Sequence, residues 1–184
     1  MNGCKSDILK KINMFFTTID FSSIEKAEFL SDHKKVLLYS TDDLLLSEKQ
    51  FAMLSSIMAE DEKLYILDDG YHGRYCSSKS ENTVDVNRIT VFEPPLCYKK
   101  YSEMSLNPVC LIFPESFRWI IVVDEMLDDG VAILSGDAST ISKFESQYES
   151  SLHDVIAFTE YCLEQHQKRG TNLDWLLKII SEIK

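Results

Sequence analysis

The chain has 184 residues and a mass of 21.2 kDa, with 45% hydrophobic and 27% charged residues. That is the composition of a globular domain able to bury a core, and it excludes a disordered chain. Lys and Arg number 19 against 30 Asp and Glu, a formal charge of −11, so phosphate surfaces repel it and neither nucleic acid nor an anionic membrane is expected as partner.

In chain order, residues 6–18 place Ile8, Leu9, Ile12, Phe15, Phe16 and Ile19 at helical spacing, which predicts an amphipathic helix. Val36-Leu37-Leu38-Tyr39 reads as a buried strand. Ser47 and Gln50 form a capping box, followed by Phe51, Leu54, Ile57 and Met58, so a helix is predicted over about 47–59. Residues 63–67 and 71–76 read as a hairpin turning at Asp68-Asp69-Gly70. A strand is predicted at 88–92, stopped by Pro94-Pro95, and a short one at 109–113. The strongest signal is the β-branched and aromatic run Phe117-Arg118-Trp119-Ile120-Ile121-Val122-Val123, a turn over 124–130, and Val131-Ala132-Ile133-Leu134 returning beside it. Helices follow over 139–148, 151–167 (ended by Gly170) and from Thr171-Asn172-Leu173-Asp174 onward. The order implies one α+β domain over 1–184: a mostly antiparallel sheet with helices packed on one face and C-terminal helices.

No apolar signal core opens the chain and no run approaches the ~20 apolar residues of a membrane span. The five cysteines (Cys4, Cys76, Cys97, Cys110, Cys162) are scattered without metal-ligand spacing, so free thiols in a reducing cytoplasm are expected. Catalytic constellations are weak. Asp69, His72 and Cys76 have the types for a thiol nucleophile with base and orienting acid, but on a strand His72 and Cys76 stand roughly 13 Å apart. Asp124, Glu125, Asp128 and Asp129 crowd one turn without the spacing of a calcium loop. His153 and His166 are about 20 Å apart along one helix. Glycine phosphate loops and the G-x-S-x-G elbow are absent. No catalytic residue, metal or cofactor is expected; a metal- or thiol-dependent enzyme of unrecognised type is the remaining catalytic alternative.

Charge is the asymmetric feature. Between Trp119 and Glu164 lie ten acids (Asp124, Glu125, Asp128, Asp129, Asp137, Glu145, Glu149, Asp154, Glu160, Glu164) and one base, Lys143, so this segment carries −9 of the −11. An ordinary solvated surface is the plain explanation. The alternative is a face that steers a basic protein, with Asp124, Glu125, Asp128, Asp129, Glu145 and Glu149 as steering carboxylates and Tyr148, or Tyr161, as an anchor.

The stretch from Phe117 to Val123, its turn, and Val131 to Leu134, followed by acidic helices in a small acidic chain, resembles the bacterial immunity proteins of contact-dependent growth inhibition and related polymorphic toxin systems. That resemblance covers about a quarter of the sequence and is one of type. It implies a non-enzymatic protein that binds a cognate toxin domain, often a nuclease, and blocks its active site or substrate groove. A structural or regulatory interaction module with a different partner is the other binding alternative, favoured by any exposed apolar helix face.

Overall fold

The computed structural model describes residues 2–21, 27–30, 32–40, 46–68, 74–76, 81–104, 106, 109–126, 129–148 and 151–183, without the side chains of 2–6, 40, 75, 76, 81, 82, 125, 126, 129, 151–153, 175, 179 and 182. The elements are α1 (Asn2–Ile12), β1 (Phe16–Asp20), β2 (Glu28–Phe29), β3 (Lys34–Ser40), α2 (Glu48–Ser56), β4 (Leu64–Leu67), β5 (Arg74–Cys76) and β6 (Glu81–Asn82). A 3-10 turn at Val86–Arg88 leads into β7 (Ile89–Phe92), then α3 (Tyr98–Ser102), β8 (Val109–Pro114), β9 (Trp119–Met126), β10 (Asp129–Gly136), α4 (Ala138–Gln147), α5 (Ser151–Arg169) and α6 (Asp174–Glu182).

The class is α+β. Six strands form one antiparallel sheet in the order β3-β10-β9-β8-β4-β7, and four short ones form a second, β2-β1-β5-β6. The large sheet separates two hydrophobic clusters. Alternation along β9 sends Trp119, Ile121 and Val123 to one face, where they meet Phe51 and Leu54 of α2, Tyr101 of α3, and Ile141 and Phe144 of α4. Ile120 and Val122 point the other way, toward Ile12 of α1, Phe16 and Ile19 of β1, Phe158 and Cys162 of α5, and Leu176 of α6. Helices therefore pack on the sheet as expected, and the opposite face is covered as well, by α1, α5, α6 and the small sheet. Burial on both sides is why 119–123 reads as an unbroken apolar run rather than an alternating one.

The hairpin forms over 119–136, with Val122 opposite Ile133, and β3 adds to its far side with Leu37 opposite Ile133. Gly136 closes the ladder opposite Trp119, where a Cβ would meet the Arg118 carbonyl oxygen at 2.9 Å. The capping box at Ser47 is complete: Ser47 Oγ accepts from Gln50 N–H, and Gln50 Oε1 accepts from Ser47 N–H at 2.9 Å. Gly170 ends α5 at φ +67°, its N–H donating to the His166 carbonyl at 2.8 Å.

Three elements differ from the sequence reading. The helix predicted over 6–18 stops at Ile12, and β1 begins at Phe16. The Thr17-Thr18-Ile19 run prefers an extended backbone once β2 and β5 offer ladders on both sides. The hairpin predicted from 63–67 and 71–76 is not made: β4 pairs with β7 and β8, while β5 joins β1 in the small sheet. Its turn, at 69–73, lies outside the described residues. The 124–130 turn is shorter than expected, because β9 and β10 run on until Met126 faces Asp129.

Candidate functional site

The longer hairpin changes what its carboxylates are. Asp124 is a strand residue on the same face as Ile120 and Val122. Its cross-strand neighbours are Val109 and Val131, and it is 5% exposed. It sits close enough to Cys110 that burial, together with the charges of Asp68 and Asp124, pushes that thiol upward. Glu125 and Asp129 occupy the last rungs of β9 and β10; their side chains, like all of Asp128 and Glu149, lie outside the described residues.

Tyr148 is not on the surface. At the C-terminal end of α4 it is 4% exposed, and its hydroxyl donates to Asp154 Oδ2 at 2.6 Å. Asp154, in the first turn of α5 and 5% exposed, also accepts the Tyr39 N–H at 3.2 Å. Gln50 of α2 donates Nε2 to the Tyr39 carbonyl at 3.0 Å and to the Tyr148 hydroxyl at 3.3 Å. Lys49 Nζ stands 5.3 Å from the Tyr148 ring centroid. Four elements, β3, α2, α4 and α5, are thereby fastened at one buried corner. Tyr161 packs beside it, 5.9 Å from the Tyr39 ring.

Register joins this corner to the hairpin tip. Tyr39 is opposite Val131, and Val131 is opposite Asp124. Asp124 and the Tyr39–Asp154 bond therefore lie two strands apart toward one end of the large sheet, whereas Lys34, which pairs with Glu145, is opposite Gly136 at the other end.

Of the ten acids from 119 to 164, five among the described residues are buried, cap a helix or pair with a lysine. Asp124 and Asp154 are interior. Asp137 caps α4, accepting from Thr140 N–H at 2.9 Å and from the Ser139 and Thr140 hydroxyls. Burial alone would raise its carboxyl, but those bonds outweigh it and hold the group at about 2. Glu145 pairs with Lys34, and Glu164 with Lys168 one turn along α5. Glu160 is exposed. The excess of acids in this half of the sequence is thus partly internal architecture rather than open field.

A second polar latch was not legible beforehand. Glu62, 9% exposed, accepts the Ser116 N–H at 2.8 Å and the Ala59 N–H at 3.2 Å, with Arg118 Nη2 at 3.7 Å. Desolvation works to raise its carboxyl; the bonds and the guanidinium prevail and lower it.

The catalytic alternatives gain little. Asp69 and His72, and the side chain of Cys76, lie outside the described residues. Cys110 and Cys162 are buried and Cys97 is exposed. Among the described residues no three His, Cys, Asp or Glu side chains gather closely enough to hold a metal ion, and no helix is long and apolar enough to cross a membrane. His166 is exposed and its Nδ1 lies 2.6 Å from the Thr171 carbonyl oxygen. Trp119 is core, at 0% exposure. Comparison with protein-family models, with curated proteins and with solved structures finds no match.

Proposed function

We propose that the chain is a binding protein that sequesters a cognate cationic protein domain, in the manner of an immunity protein neutralising a toxin, inside the cytoplasm. The supporting observation is that Asp124 of the β9–β10 hairpin and the Tyr39–Asp154 bond lie two strands apart toward the same sheet end. Glu125, Asp128, Asp129 and Glu149 would supply carboxylates to the partner, with Glu145 farther along the sheet beside Lys34. Asp124, Tyr148 and Asp154 act beneath them as a rigid base rather than as contacts. A field of this sign raises the encounter rate with a basic surface and discriminates against acidic ones.

The test is co-expression with the product of the reading frame immediately upstream of the gene. Co-purification and rescue of growth support the proposal, as does association that slows about tenfold or more between low and high salt. The double variant Glu125→Lys/Asp129→Lys slows it further. Failure to bind or rescue refutes the function; binding at a salt-independent rate refutes the steering.

One observation favours the second reading, an interaction module with a different partner. Ile156 and Leu163 on the outer side of α5 and Leu177 on α6 are 51%, 45% and 66% exposed. Sedimentation of the chain alone at rising concentration, with and without Ile156→Glu, separates the two: mass that climbs and then reverts in the variant points to self-association through this face.

A further inference from the structure

The large sheet ends in β3 on one side and β7 on the other, and the fold treats these edges differently. On β3 the backbone of Tyr39 that faces away from β10 is occupied. Its N–H donates to Asp154 at 3.2 Å, its carbonyl accepts from Gln50 at 3.0 Å, and α5 packs along the strand. On β7 the Asp68 N–H donates to the Arg88 carbonyl at 3.4 Å, continuing the register that sets Leu67 opposite Ile89. Hydrogen-bonded pairs alternate in an antiparallel ladder. Thr90 and Phe92 therefore bond to β4, while the N–H and C=O groups of Ile89 and Val91 point off the sheet. Among the described residues nothing bonds those outward groups. Thr90 is exposed and Val91 is 38% exposed. Ile89-Thr90-Val91-Phe92 is β-branched and aromatic and carries no charge to guard the edge. The edge strands of the small sheet, β2 and β6, are only two residues long.

We propose that β7 pairs antiparallel with β7 of a second copy of this chain, across a twofold axis at Thr90, so that the two large sheets become one. An isologous contact needs a surface that complements itself, and this edge does. With Thr90 facing its own counterpart, Ile89 of each copy falls opposite Val91 of the other. Both are outward-facing residues, so each such pair exchanges both main-chain bonds. The Ile–Val pairs cover the exposed Val91 side chain, and the two threonines form a favourable cross-strand pair. A slip that centres the axis on Val91 instead sets Glu93 opposite Ile89, which matches less well. Charge agrees with a second copy. At −11 the chain as a whole repels itself, but around β7 Lys63, Arg88 and Lys100 balance Asp68, Asp85 and Glu93. Glu93 gives Oε1 to Lys63 at 2.8 Å, and Arg88 is exposed with no carboxylate partner among the described residues. Antiparallel pairing brings the cationic start of one strand beside the acidic end of the other; parallel pairing would align like charges. Pro94-Pro95 stops the ladder after Glu93. This contact does not depend on the function proposed above and lies on a different surface from the apolar side of α5 and α6.

The experiment is sedimentation equilibrium of the full chain over roughly a hundredfold range of concentration, with amide exchange followed at both ends of the range. The mass should climb from 21.2 kDa toward twice that value. The Ile89 and Val91 amides should gain about tenfold or more protection at high concentration, while those of Thr90 and Phe92, already bonded to β4, stay unchanged. Val91→Pro removes only the outward donor at the centre of the contact, and Val91→Lys keeps that donor but places a charge on the edge. Both variants should stay at 21.2 kDa with β4 and β8 as protected as in the parent, whereas Ile156→Glu should leave the association intact. A mass that stays fixed over the whole range overturns the proposal. So does association that survives both Val91 variants, association lost in Ile156→Glu, or protection of Ile89 and Val91 that does not change with concentration.

Discussion

Removing the Tyr148 hydroxyl tests whether the buried corner holds four elements together. In Tyr148→Phe, Asp154 loses its 2.6 Å donor while keeping the Tyr39 N–H, and Gln50 Nε2 keeps the Tyr39 carbonyl. The bond to the buried carboxylate and the 3.3 Å bond from Gln50 are both lost with little change in volume, so the expected cost is about 1.5–2.5 kcal/mol. For a chain of this size that lowers Tm by about 3–10 °C. Asp154→Ala is harsher, because it removes the acceptor of the Tyr148 hydroxyl and of the Tyr39 N–H together; about 3–5 kcal/mol is expected, a large share of the ~5–15 kcal/mol that holds a typical domain. Urea unfolding followed by tryptophan fluorescence measures both, with m-values unchanged if the native fold survives. The cycle through Tyr148→Phe, Asp154→Asn and the double variant should give a coupling of about 1–2 kcal/mol. Single-variant costs within about 0.5 kcal/mol of the parent, or strict additivity, would show that the corner is a geometric coincidence.

Asp137→Ala should cost about 1 kcal/mol at neutral pH, an ordinary N-cap, because the exposed carboxylate is screened by solvent. Its folded-state value of about 2 lies below that of an unfolded aspartate, so its contribution is complete above about pH 4 and fades as pH falls toward 2; equal penalties at pH 7 and pH 2 refute this. Glu62→Ala removes the acceptor of the Ser116 and Ala59 amides, which lie on exposed residues, and should cost about 1–3 kcal/mol in urea unfolding, with Glu62→Gln milder. The lowered Glu62 carboxyl likewise contributes above its unfolded range and is lost on acidification. Iodoacetamide at mild pH followed by peptide mapping should label Cys97 and spare Cys110 and Cys162 until denaturant is added; ready labelling of Cys110 in the folded chain contradicts its burial.

Local signals in the sequence carried well into the structure. The Ser47–Gln50 box, the Gly170 stop and the 119–136 hairpin are all short-range chemistry: a cap, a left-handed glycine, a β-branched run. What failed depended on distant partners. Thr17 to Ile19 extend because β2 and β5 lie beside them, and β4 leaves its sequence neighbour β5 for β7 and β8. The candidate residues divide in the same way. Asp124 and Tyr148 were visible as an acid and an aromatic, but only the strand register and the Gln50–Tyr39–Asp154 bonds reveal that both point inward. The stack of Tyr65, Phe113 and Phe117 was invisible for the same reason. Tyr65 and Phe113 become neighbours only when β4 and β8 pair, and no pattern around Phe117 announces a positive φ.

The sheet sealed on both faces has a consequence for how the molecule opens. Every residue of β8 is buried, so its amides meet solvent only when an entire layer lifts or the whole chain comes apart. Deuterium uptake there should keep pace with global unfolding, whereas the two-residue rungs of β2 and β6 exchange through small local excursions. The rim can therefore open and close while the centre keeps its register.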